Sequence, residues 1–279
     1  MAVQARAPIA AAETRPHGVA LILTGIIILL AAVASWGGLF LPGHYRDSAY
    51  MVAQAIGQDL VTLVVAVPAL AAVLYFVRRG SARATLAWIG LLAYMLYTYT
   101  TMAFGAAFNR FFLIYVALFA LGIAAMIAAV GGIDVRVWAR RFDSGTPSRP
   151  LAAFMVLIGL MLCGLWLPDI IRFLVTGTLP PTMVLAEIPT NFVYVMDLGL
   201  VMPLAFLTGV LLWRRQPWGH ILAGVVLAKA MTMGLALLSM IFFVVRGGGA
   251  LEMAPFIMSL VVTAGSLAFS VWFFRHCHD

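Results

Sequence analysis

Eight apolar runs, each long enough to cross a lipid bilayer as a helix, dominate this sequence of 279 residues. The hydrocarbon core of a bilayer is about 30 Å thick and needs roughly 20 apolar residues in helical form. Backbone groups inside that core must pair within their own segment, so apolar runs of this length are predicted to be helices. The predicted fold class is an all-α polytopic membrane helix bundle with about eight transmembrane helices. The predicted spans are 18–41, 50–77, 84–104, 110–131, 151–174, 190–213, 218–245 and 252–274.

The composition agrees with a membrane protein and excludes several functions. Hydrophobic residues make up 64% of the chain and charged residues 10%, whereas soluble domains are about 25% charged. The net charge of +7 comes from arginines in short clusters between apolar runs, so no nucleic-acid partner is predicted. The two cysteines, Cys163 and Cys277, form no metal-binding pattern, and no motif of a known catalytic site is present. We therefore predict no metal, no cofactor and no catalytic residues, and an enzyme is not favoured.

The distribution of arginines predicts the orientation in the membrane. Cytoplasmic segments carry an excess of Lys and Arg. Twelve arginines precede the first span, follow the last one, or lie in every second connection, whereas Arg46, Arg110, Arg172 and Arg246 lie on the opposite side. We therefore predict a multi-pass protein of the bacterial inner (plasma) membrane with both termini in the cytoplasm. Residues 1–17 are predicted to be a disordered cytoplasmic tail.

A cytoplasmic linker loop at 132–150 divides the chain into two units of four helices, 18–131 and 151–279. The second span contains "QDLVTLVVAVPALAAVLYFVRRG" and the sixth contains "MDLGLVMPLAFLTGVLLWRRQ". Each has Asp-Leu near one end, a proline further in, and Arg-Arg at the other end. This similarity favours two parallel four-helix repeats. The alternative is that the arginines only mark the cytoplasmic side of both helices.

Lys229, the only lysine in the chain, lies inside the seventh apolar span. Counted from the Arg-Arg pair of the preceding turn, Lys229 lies about 21 Å up its helix and Asp197 about 25 Å up the sixth. The turn between these two spans is short, so the helices are expected to be neighbours. Because ionisable groups inside a bilayer are costly, they usually mark a functional site. We expect an Asp197–Lys229 ion pair beside a cavity; the alternative is a purely structural pair or a lysine that extends to the interface.

A second polar group is predicted near the outer end of the second span, at Gln58 and Asp59. We expect hydroxyl groups of the third span to face Asp59, and Arg110 either to pair with Asp59 or to bind an anionic lipid head group. The alternative is an ordinary belt of tyrosines at the membrane interface. The hydroxyl-bearing residues that share one face of the third span at helical spacing are Tyr94, Tyr97, Thr98 and Thr101.

These residues together favour a transporter of a small solute or an ion. Asp197 and Lys229 are the expected proton-coupling pair, and Asp59, Tyr97 and Arg110 the expected outer polar gate. The alternative is a membrane-embedded enzyme, or a lipid- or quinone-binding subunit of a larger complex. The expected partners are the lipid bilayer and an unknown small solute or lipid, and either a homo-oligomer or a partner subunit fits the sequence.

Three stretches, "GQDLVTLVV", "YMLYTYTTMAFGAAFN" and "GVLLWRRQPWGHILAG", resemble segments of uncharacterised multi-pass membrane proteins of bacteria. The resemblance extends over most of the chain. It implies an integral membrane protein, and it implies no activity for any individual residue.

Overall fold

The structure is a computed structural model that describes residues 18–143 and 145–279, so the predicted tail at 1–17 lies outside the described residues. Eight of its helices are long and apolar enough to cross a membrane, and their ends lie within three residues of the predicted ones. The described residues form no β-strand, which confirms an all-α polytopic bundle. The eight helices are α1 Gly18–Phe40, α2 Ala49–Arg78, α3 Ala82–Gly105, α4 Phe112–Gly131, α5 Ser148–Thr176, α6 Phe192–Trp213, α7 Pro217–Arg246 and α8 Met253–Arg275.

Helices α3 and α7 form the centre of the bundle. In their most apolar segments 61% of α3 and 67% of α7 is buried, against 39% or less in every other spanning helix. Helix α7 packs against α2, α3, α6 and α8. Glycines allow this close packing: a Cβ atom on Gly90 of α3 would lie 2.5 Å from the carbonyl oxygen of Val225 in α7. The side chains of these two helices are therefore the ones that face the protein interior.

Within each half of the chain, the contacts between the four helices form a closed ring. Helix α1 contacts α2 and α4, and α3 contacts the same two helices. In the second half, α5 contacts α6 and α8, and so does α7. The two halves meet where α7 packs against α2 and α3. The descent of the halves from one duplicated unit stays a prediction.

Helices α2 and α6 each contain a single π-helical turn directly before a proline. The turn covers Thr62–Ala66 before Pro68, and Asp197–Val201 before Pro203. Proline has no N–H group, and its ring collides with the carbonyl group four residues earlier. A π turn inserts one extra residue and relieves that collision. Both helices thus have the same local irregularity next to a proline.

The two ends of the bundle are easily distinguished. The end that carries most arginines, here called the arginine-rich end, is held together by the C-terminal residues: the His278 N–H group donates to the Arg141 carbonyl at 2.8 Å, and Arg83 Nε donates to the Cys277 carbonyl at 2.7 Å. At the opposite end, here called the far end, Ser48 Oγ donates to the Leu185 carbonyl at 2.9 Å. Leu185 belongs to a short helix, Pro181–Ala186, in the connection from α5 to α6.

Asp279 caps the start of α3 at the arginine-rich end. Its Oδ1 atom accepts hydrogen bonds from Ser81 Oγ at 3.0 Å and from the Ala82 N–H group at 2.8 Å. Burial alone would raise the pKa of Asp279, but the hydrogen bonds from Ser81 and from the backbone of Arg83 and Ala82 outweigh burial and lower it. A carboxylate at a helix N-terminus contributes about 0.5 kcal/mol at an exposed site.

We therefore expect Asp279→Asn to lower the free energy of unfolding by about 0.5 kcal/mol at neutral pH. A carboxyl whose pKa is lowered by folding stabilises the protein above its unfolded pKa, and this contribution is lost as the pH falls through the folded pKa. The difference between variant and wild type should vanish in acid. Thermal unfolding in detergent at both pH values measures it, with exposed Glu187→Gln as the control. An equal loss at both pH values would contradict capping by the carboxylate.

Candidate functional site

A cavity of about 240 Å³ lies between α2, α3, α5, α6, α7 and α8. Its wall begins at Asp47 and Tyr50 at the far end and reaches Val226 and Ala205, close to the middle of α7 and α6. Most of the wall is apolar, from side chains such as Leu162. A few polar or charged side chains therefore determine what this cavity can bind. These side chains include Gln58, Tyr97, Asp197 and Lys229.

Asp197 is buried in the wall of this cavity, where its carboxylate accepts two hydrogen bonds from aromatic side chains. Tyr97 Oη donates to Oδ1 at 2.8 Å, and Trp166 Nε1 donates to Oδ2 at 2.9 Å. Asp197 is also the first residue of the π turn in α6, directly below the short helical segment that begins after Asn191. The carboxylate therefore joins three helices, α3, α5 and α6, at one point.

Lys229 and Asp197 both contact Tyr97, and they form no direct ion pair with each other. The Lys229 Nζ atom lies 4.3 Å from the centre of the Tyr97 ring, a cation–π contact. The one ion pair within 4.0 Å in residues 18–143 and 145–279 joins His278 and Asp143, so the expected direct Asp197–Lys229 ion pair is absent. Counting residues along the helices predicted similar depths for both groups, and both line the same cavity. It could not predict the aromatic ring between them.

The ammonium group of Lys229 has no hydrogen-bond acceptor anywhere in the described part of the chain. Its only close partner there is the face of the Tyr97 ring. Close packing of α3 on α7 explains its position, since a Cβ atom on Gly90 would lie 3.2 Å from the Lys229 backbone nitrogen. Tyr97 follows Gly90 by two turns of α3, about 10 Å, which is a distance that the long lysine side chain and the tyrosine ring span together. Lys229 thus offers a positive charge to the cavity.

Gln58 of α2 forms part of the cavity wall. Its Nε2 atom donates to Tyr94 Oη at 2.8 Å and to Thr98 Oγ1 at 2.9 Å. Thr62 Oγ1 lies 2.8 Å from the same Tyr94 hydroxyl. These hydrogen bonds fix the orientation of the Gln58 amide in the cavity wall.

Asp59 lies on the other side of α2, outside the cavity lining. Consecutive residues on a helix point about 100° apart, so Gln58 faces the cavity while Asp59 faces α1 and α4. Asp59 accepts a hydrogen bond from the Tyr45 hydroxyl. Tyr97 contacts Asp197 instead, and Arg110 is exposed and forms no ion pair with Asp59. The structure therefore does not bring Asp59, Tyr97 and Arg110 together, and their role as an outer polar gate stays a prediction.

Two residues of these polar groups were missed in the sequence, Trp166 and Tyr45. Trp166 lies in the far half of the fifth span, where tryptophan is normally attributed to the membrane interface. Tyr45 lies in the first outer connection, "PGHYRDS", and nothing in a hydropathy pattern shows that this segment folds back against α2. The available signal was weak: both residues carry polar atoms that need a partner when buried.

No group of three or more His, Cys, Asp or Glu side chains that could hold a metal ion occurs in the described residues. Comparisons with models of protein families, with curated proteins and with solved structures give no match to this chain. The chemistry of the cavity itself therefore provides the argument about function.

Proposed function

We propose that this integral membrane protein is a transporter for a small amphipathic organic anion. The anionic group binds Lys229, and the apolar part of the solute fills the cavity. The observation that carries this proposal is the Lys229 ammonium group, which faces a mostly apolar cavity without a hydrogen-bond acceptor from the described chain. The transporter expected from the sequence thus acquires a substrate class.

The energetics of Lys229 favour an anionic ligand. A lysine at the centre of a bilayer costs about 3 kcal/mol or more. The cation–π contact with Tyr97 offsets about 2 kcal/mol of this cost when the contact is desolvated. Asp197 attracts the ammonium group, but each of its oxygens already accepts a hydrogen bond from an aromatic side chain. A carboxylate of the solute would give Lys229 the charge-assisted hydrogen bond that it lacks.

The shape of the cavity limits the solute and gives it a route. A volume of about 240 Å³ lies below the range of about 300–1,000 Å³ for drug-sized ligands, so the solute is small. The wall reaches Tyr50 and Thr182 at the far end. Toward the arginine-rich end, fully buried side chains such as Leu86, Met155 and Leu212 close the bundle. A cavity that extends to one end only supports one state of alternating access.

The π turns next to the cavity support a conformational change. They occur in α2 and α6, the two helices that supply Gln58 and Asp197. A π turn within an α-helix is frequently found at a functional site. Bending of either helix at its turn would move one polar wall of the cavity relative to Lys229.

Lys229→Gln is expected to weaken the binding of a carboxylate by about 10- to 100-fold, because hydrogen bonds to charged groups contribute about 1.5–3 kcal/mol. The probes are hexanoate, octanoate and benzoate, each compared with the alcohol of the same carbon skeleton. Tryptophan fluorescence of the protein in lipid nanodiscs measures binding, since Trp166 lines the cavity. The alcohols should bind wild type and variant equally.

Lys229→Arg is the matched control, because it keeps the positive charge and should retain most carboxylate binding. Uptake of radiolabelled probes into proteoliposomes then separates a transporter from a binding protein. The proposed anion site is refuted if wild type prefers no carboxylate over its alcohol, or if Lys229→Gln leaves that preference intact. Tight binding without uptake would refute transport alone.

A second candidate, a lipid- or quinone-binding subunit, is supported by the apolar lining of the cavity. Side chains such as Leu165, Met233 and Val262 would pack equally well against an isoprenoid or acyl chain. Mass spectrometry of the organic extract from the purified protein distinguishes the two candidates. A quinone or lipid present in equimolar amount and displaced by Lys229→Gln would favour the second.

A further inference from the structure

We propose that Asp59 is a proton-binding site that is loaded from the far end through His44, Tyr115 and Tyr45, and that it is separate from the cavity. The site lies within the first four helices, and Asp59 does not line the cavity described above. It goes beyond the proposed transport function, and its properties are measurable without any solute.

Asp59 is a deeply buried carboxyl group with hydroxyl partners and no basic partner. It is 3% exposed, and no ion pair within 4.0 Å reaches it in the described part of the chain. Tyr45 donates a hydrogen bond to its Oδ2 atom. Gly38 of α1 makes room for this pair, because a Cβ atom there would lie 2.6 Å from Tyr45 Oη. In such surroundings the protonated carboxyl group costs less free energy than the negatively charged one.

A row of polar side chains leads from Asp59 toward the far end. Tyr45 lies beside Tyr115 of α4. The Tyr115 hydroxyl lies 3.0 Å from His44 Nε2. His44 belongs to the connection between α1 and α2, is 4% exposed, and its Nδ1 atom has no hydrogen-bond partner among the described residues. Nδ1 is itself buried and is the outermost atom of the row, so a proton enters or leaves there when the connection between α1 and α2 opens to solvent.

The state of His44 suits this role. Burial and then the positive charge of Arg110 lower the pKa of His44 below its usual value of 6.5. The ring is therefore neutral near pH 7, with one N–H group and one lone pair. A neutral imidazole accepts a proton on one nitrogen while it donates from the other, as a relay requires.

Proton loading transfers one proton at each link. A proton from solvent binds His44 Nδ1 as His44 Nε2 gives its own proton to the Tyr115 oxygen. Tyr115 passes its original proton to Tyr45, and Tyr45 passes its own to the Asp59 carboxylate. Both tyrosines end neutral, His44 ends as the other neutral tautomer, and Asp59 ends as a carboxylic acid. Exchange with solvent at His44 restores the starting tautomer.

The other titratable groups around Asp59 are phenols or lie toward the far end. Helix α3 contributes Tyr94 and Tyr99, and Tyr99 shares a hydrogen bond of 3.3 Å with Ser35 of α1, which also approaches Asp59. Asp47 and Arg110 lie near Tyr115 and His44 respectively. Neutral tyrosines provide hydrogen bonds without charge, so Asp59 is the group among them that binds and releases the proton. The groups that face the site are Tyr45, Tyr94, Tyr99, Tyr115, His44, Asp47 and Arg110.

Infrared difference spectroscopy of the protein in lipid bilayers tests this site. We expect a carboxylic acid C=O band that decreases as the pH is raised from mildly acidic to mildly alkaline and that shifts in D₂O. The band should be absent in Asp59→Asn and retained in Asp169→Asn, a carboxyl control at the far end. The His44→Phe variant should keep the band but slow its shift in D₂O by about tenfold or more, which corresponds to about 1.4 kcal/mol.

Tyr45→Phe provides a second test that leaves the carboxyl group in place if Asp59→Asn fails to fold. Loss of one hydrogen bond should move the C=O band to higher frequency. The proposal is overturned if no band responds to Asp59→Asn or Tyr45→Phe, or if the band neither titrates nor exchanges. It is also overturned if exchange is equally fast in His44→Phe. None of these outcomes depends on Lys229, so they do not decide the anion site.

Discussion

Replacing Asp197 with leucine is expected to lower the free energy of unfolding by about 3–5 kcal/mol, and Lys229→Leu by a similar amount. Removing one member of a buried pair of opposite charges leaves the other without compensation, and such changes cost about this much. In this protein the two charges are joined by the Tyr97 ring, which binds Lys229 on its face and Asp197 through its hydroxyl. Unfolding in mixed micelles measures the loss.

The double variant Asp197→Leu/Lys229→Leu should recover more than half of either loss, since no unpaired charge remains. It should nevertheless fail to bind carboxylates, because the ammonium group is gone. Recovery of stability without recovery of binding would separate the structural role of the pair from its functional role. This pattern distinguishes a binding lysine from a merely structural one.

Tyr97→Phe is the matched control for the connection between the charges. It keeps the ring that contacts Lys229 and removes the hydroxyl that donates to Asp197. We expect a loss of about 1.5–3 kcal/mol, as for a hydrogen bond to a charged group. Additive losses in Asp197→Leu/Lys229→Leu would show that the two charges act independently, and the bridge through Tyr97 would then have no energetic meaning.

The eight helices were predictable from the sequence because hydropathy is a property of segments and needs no knowledge of neighbours. The depth of Asp197 and Lys229 was predictable for a related reason, since a helix rises by a fixed 1.5 Å per residue. Both residues line the same cavity, as expected from these depths. The inner-membrane location and the orientation of the termini stay predictions, since they depend on arginine counts alone.

The partners of the polar residues on α3 could not be predicted because this helix is buried on several sides. Spacing placed Tyr94, Tyr97 and Thr98 on one face and directed that face to Asp59. In the structure Tyr94 and Thr98 contact Gln58, while Tyr97 turns to Asp197 in the other half of the chain. A lipid-facing helix has one polar side, and periodicity finds it. A central helix has polar contacts on more than one side, so periodicity alone does not assign them.

The π turns are a further reason why side-chain directions could not be predicted by counting residues along a regular helix. Each turn holds one more residue than a regular turn, so residues on its two sides differ by about 100° from their expected direction. Pro68 and Pro203 are visible in the sequence, and a proline inside a helix indicates an irregularity. They did not predict its form, and Asp197 lies at the first position of one such turn.

Gly57→Ala is expected to destabilise the protein by about 3 kcal/mol, although it adds a single methyl group. A Cβ atom on Gly57 would lie 2.5 Å from the Met240 Cα atom and 2.7 Å from the Ser239 carbonyl carbon. These are backbone atoms of α7 and cannot rotate away, so α2 and α7 must separate. Overpacking of this kind typically costs about 1–3 kcal/mol. Because the contacting atoms are backbone atoms that cannot move aside, we expect a cost at the upper end of this range.

Gly25→Ala is the matched control, because a Cβ atom on Gly25 of α1 would meet nothing within 4 Å. Alanine favours a helix over glycine by about 1 kcal/mol, so this variant should be neutral or slightly more stable. Separation of α2 from α7 would also move Gln58 away from Lys229, so Gly57→Ala should weaken carboxylate binding in the fraction that still folds. Equal stability of the two variants would contradict the close packing of α2 on α7. A stable Gly57→Ala protein with unchanged carboxylate binding would show that α2 is not a wall of the anion site.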